Sequence, residues 1–142
     1  MTPLSFSKSV EINAEPSAVL AVMTDVERWP EWTASVTSIT RLDSGPFVVG
    51  SRARIRQPKL PPALWTVSAI EPGRSFTWIS KGPGILVTAH HSIEPRAGRS
   101  RVTLSIRYEG LLAKLLAWMT KDINERYLAM EANGLKARCE KS

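Results

Sequence analysis

The stretch Gly110-Leu-Leu-Ala-Lys-Leu-Leu-Ala-Trp-Met-Thr-Lys-Asp-Ile-Asn-Glu-Arg-Tyr-Leu-Ala-Met-Glu-Ala-Asn-Gly-Leu-Lys-Ala-Arg-Cys139 decides the fold. Leu112, Leu116, Met119, Ile123, Tyr127, Met130 and Gly134 recur three or four residues apart. That spacing predicts one apolar stripe of an α-helix running from Gly110 to about Cys139. Lys114, Lys121, Asp122, Glu125 and Arg126 fall largely off the stripe, as a solvated flank should. A helix of about 30 residues spans roughly 45 Å at 1.5 Å per residue. A small protein buries so long a stripe only if something curved wraps it. The upstream segments supply strands with one apolar face. The expected architecture is therefore α+β: a bent antiparallel sheet gripping the C-terminal helix, with the functional space between them.

Composition narrows the class. The 142 residues, 43% hydrophobic and 23% charged, fit one domain over 1–142 with a substantial core. The start, Met1-Thr-Pro-Leu-Ser-Phe-Ser-Lys8, has no basic segment leading into an apolar block, which predicts no secretory leader. Leu111 to Met119 is the most apolar run, but Lys114 interrupts it and it is too short to span a bilayer, so no stable membrane insertion is expected. The lone Cys139 has no partner for an internal disulfide and reads as an incidental thiol in a reducing compartment, the cytoplasm. The net charge of +6 comes from scattered residues such as Arg52, Arg54, Arg56, Arg74 and Arg107. Without a basic run or a recognition motif, nucleic acid is not an expected partner. Monomer and homodimer stay open.

Alternation over 5–12 predicts a half-buried strand, with Lys8 either snorkelling at its end or facing a cavity. Pro16 opens a short helix with Val19, Val22, Met23 and Val26 on its stripe. Pro30 then breaks the chain at Trp29 and a further turn follows. Trp29 and Trp32 plug the sheet or touch a ligand. Strands are expected over 35–42, 51–57, 64–70, 75–80, 85–93 and 101–108, each bounded by turn residues, as an antiparallel meander. The proline-rich segment 57–64 is a rigid connection or a lid on a cavity mouth. Gly134 marks either fraying or a close approach of the helix to the opening strand.

Certain segments, taken in this order, resemble the START-like (SRPBCC) superfamily, and within it the polyketide cyclase/dehydrase branch. They are Val10 to Met23, Asp25 with Trp29-Pro-Glu-Trp32, Val49-Gly-Ser-Arg-Ala-Arg-Ile-Arg-Gln-Pro58, and Trp65-Thr-Val67. Glu71-Pro-Gly-Arg74, Phe76-Thr-Trp78, His91-Ser-Ile-Glu-Pro95 and Glu131-Ala-Asn-Gly-Leu135 complete them. The resemblance implies a helix-grip fold. It also implies a function among aromatase/cyclases and binders of lipids or hormones. No stretch matches a family catalytic motif, so no catalytic residue is carried over.

The apolar phase of each strand selects the inward side chains. Ile55 and Gln57, then Trp65, then Phe76 and Trp78 face the helix, followed by Ala89, His91 and Tyr108. Leu116, Met119, Ile123 and Tyr127 answer them from the helix, and Trp32 joins from the turn. An apolar and aromatic wall with a few polar points is the profile of a small-molecule pocket. The expected partner is a hydrophobic small molecule: a lipid, an isoprenoid or an aromatic polyketide-like compound. The alternative is a cyclase or dehydratase using His91 and Tyr108. A partner-binding role for the basic sheet face is a third reading. His90 and His91 point to opposite faces, so they cannot share a metal, and neither metal nor cofactor is expected. An inward histidine is either a hydrogen-bonded core residue or the best general acid–base.

Overall fold

Alternation of apolar and polar side chains yields seven strands: β1 (Ser5–Ile12), β2 (Ser38–Arg41), β3 (Arg52–Arg56), β4 (Ala63–Glu71), β5 (Ser75–Gly82), β6 (Ile85–Arg96) and β7 (Arg99–Glu109). The computed structural model, which describes residues 4–141, joins them into one antiparallel sheet in the order β1-β7-β6-β5-β4-β3-β2. Residues 1–3, part of the start on which the leader argument rests, lie outside the described residues. β2 to β7 form a meander, and β1 closes onto β7 with Ser5 opposite Arg107 and Ile12 opposite Ser100. Between β1 and β2, α1 (Pro16–Thr24) and a 3-10 helix (Val26–Glu31) carry the chain from one sheet edge to the other. The β6–β7 hairpin turns on Ala97 and Gly98, both left-handed at φ 49° and 84°, which matches the twist of the paired strands.

Three local features differ from the sequence reading. Alternation through Trp65 and Val67 carries on to an inward Ala69, but a bulge between Val67 and Ala69 shifts the phase of β4, so Ala69 turns out to solvent and Ile70 packs on the core. The C-terminal stretch is two helices, α2 (Ala113–Met119) and α3 (Lys121–Glu140), rather than one. Thr120 leaves helical geometry at φ −105° and ψ 9°. Its hydroxyl donates back to Leu116 O at 2.6 Å, a bond that competes with the helix and bends it. With that proton committed, the Tyr108 hydroxyl donates to Thr120 Oγ1 at 3.0 Å and accepts from Asn124 Nδ2 at 2.9 Å. The joint is thus pinned to β7 by three polar side chains.

The buried stripe is also rotated by one residue. Ala113, Ala117, Asn124, Leu128, Ala132 and Leu135 are buried, whereas Met119 is 61% exposed and Leu112 43%. Ile123, Tyr127 and Met130 occupy the flank. The reason lies in how close α3 comes to the rest of the chain. A Cβ built on Gly134 would collide with the carbonyl oxygen of Trp32, just past the 3-10 helix. The close approach is to Trp32 and not to the opening strand. Farther along, Glu140 accepts from the Asn13 amide at 2.8 Å and from Lys136 Nζ at 2.7 Å, which ties the end of α3 to the end of β1. These bonds hold the Glu140 carboxyl below its ordinary range.

Two outcomes follow from these contacts. Gly134→Ala gains about 1 kcal/mol of helix propensity but forces a backbone shift at Trp32. The net effect is a loss of about 1–3 kcal/mol, read as a lower urea midpoint and melting temperature. A rise in midpoint would mean that the approach is loose. Tyr108→Phe strips the joint of its central hydroxyl and leaves one Asn124 N–H facing apolar groups; urea unfolding should show a loss of about 1–3 kcal/mol.

Candidate functional site

α3 and the concave face of the sheet do not touch throughout. Between them lies a partly enclosed cavity of about 230 Å³. Trp29, Trp65 and Trp78 put three indoles on its wall, and Ile55, Ala63 and Ala89 add small or branched groups. Where Ala63 and Ala89 stand, the wall recedes. The indoles are fixed by one another: Trp78 lies 5.6 Å from Trp29 and 5.9 Å from Trp65, centroid to centroid. Trp29 is also anchored by its Nε1, which donates to Met23 O at 3.0 Å. The loop between β3 and β4 closes one side through Leu60 and Pro61. Tyr127 on α3 donates its hydroxyl to Pro58 O and so ties this loop to the helix, while Gln57 Nε2 donates to Ser35 O at 3.2 Å.

His91 is the most enclosed polar group of the wall, at 4% exposure. Its ring stacks on Phe76 at 4.1 Å and 7°. Its Nδ1 donates to Phe76 O at 3.3 Å, and a carbonyl can only accept, so Nδ1 carries the proton. Nε2 then faces the carboxylate of Glu131 on α3, 3.7 Å from Oε1. That separation is too long for a hydrogen bond, and Oε1 is buried without any other partner among the described residues. An imidazole nitrogen and a carboxylate oxygen therefore stand side by side at the cavity with bonding capacity unspent. His90 points the other way, to the outer face, where its Nδ1 meets Thr77 Oγ1 at 2.6 Å. Partial burial, with a smaller contribution from neighbouring His91, pushes the His90 pKa down. Burial also pushes the Cys139 thiol up to about 11, so it is protonated and unreactive at neutral pH.

Of the side chains expected from the sequence, Ile55, Gln57, Trp65, Trp78, Ala89, His91, Tyr108 and Tyr127 lie on this cavity. Trp32, Phe76, Leu116, Met119 and Ile123 do not. Trp32 lies against α1 and Arg138 on an outer groove. Phe76 sits behind the wall, beneath His91 and edge-on to Phe47 at 5.2 Å. Leu116 packs beside Tyr108 under α2, Met119 faces solvent, and Ile123 is on the flank of α3. Lys8 is exposed at the sheet edge. Asn124, Leu128 and Glu131 are the α3 residues that sequence reasoning missed at the cavity. Their signal was present: Ala113, Ala117, Thr120, Asn124, Leu128, Glu131 and Leu135 repeat with the same spacing as the larger stripe, one residue later.

Chemically, the cavity can desolvate a small hydrophobe and hold one polar atom of it. His91 Nε2 and Glu131 Oε1 are both acceptors while Nδ1 holds the ring proton, so a ligand hydroxyl would donate to Glu131 Oε1 with His91 Nε2 beside it, and a carbonyl would partner neither. Tyr108 offers less, because its proton is committed to Thr120. Among the described residues, no group of three or more His, Cys, Asp or Glu side chains converges as a metal site.

Comparison with known proteins agrees with this architecture. The family model described as polyketide cyclase / dehydrase and lipid transport matches residues 3–140. No curated protein matches the chain by sequence. Among solved structures, a START superfamily protein from Mycobacterium smegmatis superposes with a TM-score of 0.79 at 16% identity, covering 96% of this chain and 97% of that one. The Zhui aromatase/cyclase from Streptomyces sp. R1128 superposes at 0.78 and 16% identity, covering 96% and 93%. A hypothetical protein from Helicobacter pylori does so at 0.82 and 16%, covering 97% and 89%. At such identities these structures share the fold alone, the helix-grip arrangement of curved sheet and C-terminal helix. With its model matched over nearly the whole length, the chain belongs to the polyketide cyclase / dehydrase and lipid transport family.

Proposed function

We propose that this protein binds a small hydrophobic molecule between sheet and helix, with a hydroxyl of the ligand donating its proton to the Glu131 carboxylate beside His91. The observation that carries the reading is the unpartnered Glu131 oxygen at the wall of a cavity lined by indoles. An apolar hollow with few orienting polar groups is the usual form of a ligand site. The volume of about 230 Å³ sets the size class. It lies below the roughly 300 Å³ at which ordinary ligand pockets begin, so a molecule of one or two rings or a short acyl chain fits and a whole diacyl lipid does not. Tyr108 pairs with Val87, four residues along β6 from His91. Four residues at about 3.4 Å set these two backbone positions roughly 14 Å apart along the strand. A bicyclic aromatic fits that interval lengthwise. The family description, which includes lipid transport, supports the same class of cargo. The free thiol of Cys139 fits action in a reducing compartment such as the cytoplasm.

Titration with 2-naphthol, followed by calorimetry, tests this reading. The unaltered chain should bind with a negative heat-capacity change. Ala89→Phe, which fills the recess, should weaken binding by about tenfold or more while leaving circular dichroism unchanged. Equal binding by both proteins would place the naphthol elsewhere and remove the proposal.

The His91–Glu131 pair favours a second reading, an enzyme of the cyclase or dehydratase kind. Such reactions need a base to take a proton beside a ketone, and an imidazole beside a carboxylate is suited to that work. In this reading Glu131 replaces Tyr108 as the partner of His91. The expected outcome is acceleration of hydrogen–deuterium exchange at the activated methylene of 2-tetralone in heavy water, seen by proton NMR. His91→Gln should slow it by about 100-fold with ketone binding retained. Exchange no faster than in buffer would leave binding as the sole activity.

A further inference from the structure

α2 carries its bulk on the wrong side for a soluble helix. Its inner face is Ala113 and Ala117, both buried. Outward stand Leu115, 53% exposed, Trp118, 72%, and Met119, 61%, three and four residues apart on one face, with Leu111, 95% exposed, one turn earlier. Leucine, tryptophan and methionine are rarely displayed together on a surface that meets only water. Along α2 the charge has one sign, and Glu109, just before Gly110, is answered by Arg107 at 3.4 Å. Between Gly110 and Lys121 the charged side chains are Lys114 and Lys121; the first carboxylate, Asp122, comes only in the opening turn of α3. Leu112 packs against Gly84 and donates its amide to Gly84 O at 2.9 Å, which brings the β5–β6 hairpin with exposed Lys81 alongside. Among the described residues none of these three lysines enters an ion pair with a carboxylate.

We propose that this face of α2 docks on an anionic lipid bilayer and lays the rim of the cavity against it. The chemistry is that of an interfacial helix: an apolar face with an indole at the water boundary, and lysines on the flank that meet anionic headgroups. No helix among the described residues is long and apolar enough to cross a membrane, so the helix lies on the bilayer. A second copy of this chain fits less well, because a two-fold axis through the patch would bring lysines to lysines without a carboxylate on α2 to answer them. The site adjoins the cavity: α2 packs on Tyr108, Val87 and Ile106, and all three also line the cavity. A hydrophobe leaving the bilayer at α2 would reach the cavity without crossing open water.

Flotation of the full chain with vesicles decides the matter. With phosphatidylcholine mixed with phosphatidylglycerol, the chain should float and lose binding as salt rises; with phosphatidylcholine alone it should float weakly. The pair Leu115→Ser with Trp118→Ser should lose about tenfold or more in binding, and Lys114→Glu with Lys121→Glu about tenfold on the mixed vesicles. All four side chains face solvent, so melting temperatures should hold. The proposal is overturned if the unaltered chain floats with neither vesicle or if every variant floats equally. It is also overturned if light scattering shows a dimer that the serine pair makes monomeric while vesicles bind nothing. Flotation does not depend on what the cavity holds, and 2-naphthol binding by the serine pair reads the cavity separately.

Discussion

The backbone contact between Gly134 and the Trp32 carbonyl governs the rest of the structure. It lets α3 approach a chain segment that any larger residue would hold away. The rotation of α3 about its own axis follows from that approach. With Gly134 turned toward Trp32, the residues facing the sheet are Asn124, Leu128, Glu131 and Leu135. Trp29 lies one turn before Trp32 and stands against both Trp78 and His91, at 5.6 Å from each. One close contact at the end of the 3-10 helix therefore sets both the wall that carries the indoles and the face that carries the carboxylate.

That geometry explains why polar groups occur in the cavity at all. A carboxylate oxygen buried without a partner costs folding energy, on the order of 1–3 kcal/mol or more for a charged group. Leucine at 131 would pack with less cost. An uncompensated polar atom beside an imidazole, in a hollow the core has not filled, is the local inconsistency that proteins retain where a ligand completes the bonding. At the other side of the cavity the opposite holds. Tyr108, Thr120 and Asn124 satisfy one another, and their bonds hold the bend between α2 and α3. Two polar clusters thus serve different ends, one left open and one closed on itself.

The same bend separates two kinds of apolar surface. Along α3 the larger apolar side chains turn toward the core or its flanks. Along α2 alanines face the sheet, and the leucines, tryptophan and methionine face outward. Alanine brings α2 close to Tyr108 and Val87, and this closeness keeps the helix at the edge of the hollow. The apolar lining of the cavity and the apolar outer face of α2 are separated by little more than the thickness of that helix.

Much of the architecture was legible in the chain. Alternation in the strands, turn residues at their ends and a helical period in the final 30 or so residues determined a curved antiparallel sheet with a C-terminal helix. Strand phase placed Ile55, Trp65, Trp78, Ala89 and His91 facing inward, because side chains in a strand have only two directions. A helix offers many. The stripe through Leu112, Leu116 and Met119 and the stripe through Ala113, Ala117 and Thr120 have the same spacing, and a one-residue shift turns a helix by about 100°. Periodicity supplies the period but not the phase. Choosing the bulkier stripe put Met119 and Ile123 in the site and left out Glu131. The sequence by itself determined the elements, their order and the inward faces of most strands. Only the tertiary structure decided which face of each C-terminal helix turns inward. Backbone proximity at Gly134, and a hydroxyl at Thr120 spent on the preceding turn, are contacts between distant or competing groups that no local pattern encodes.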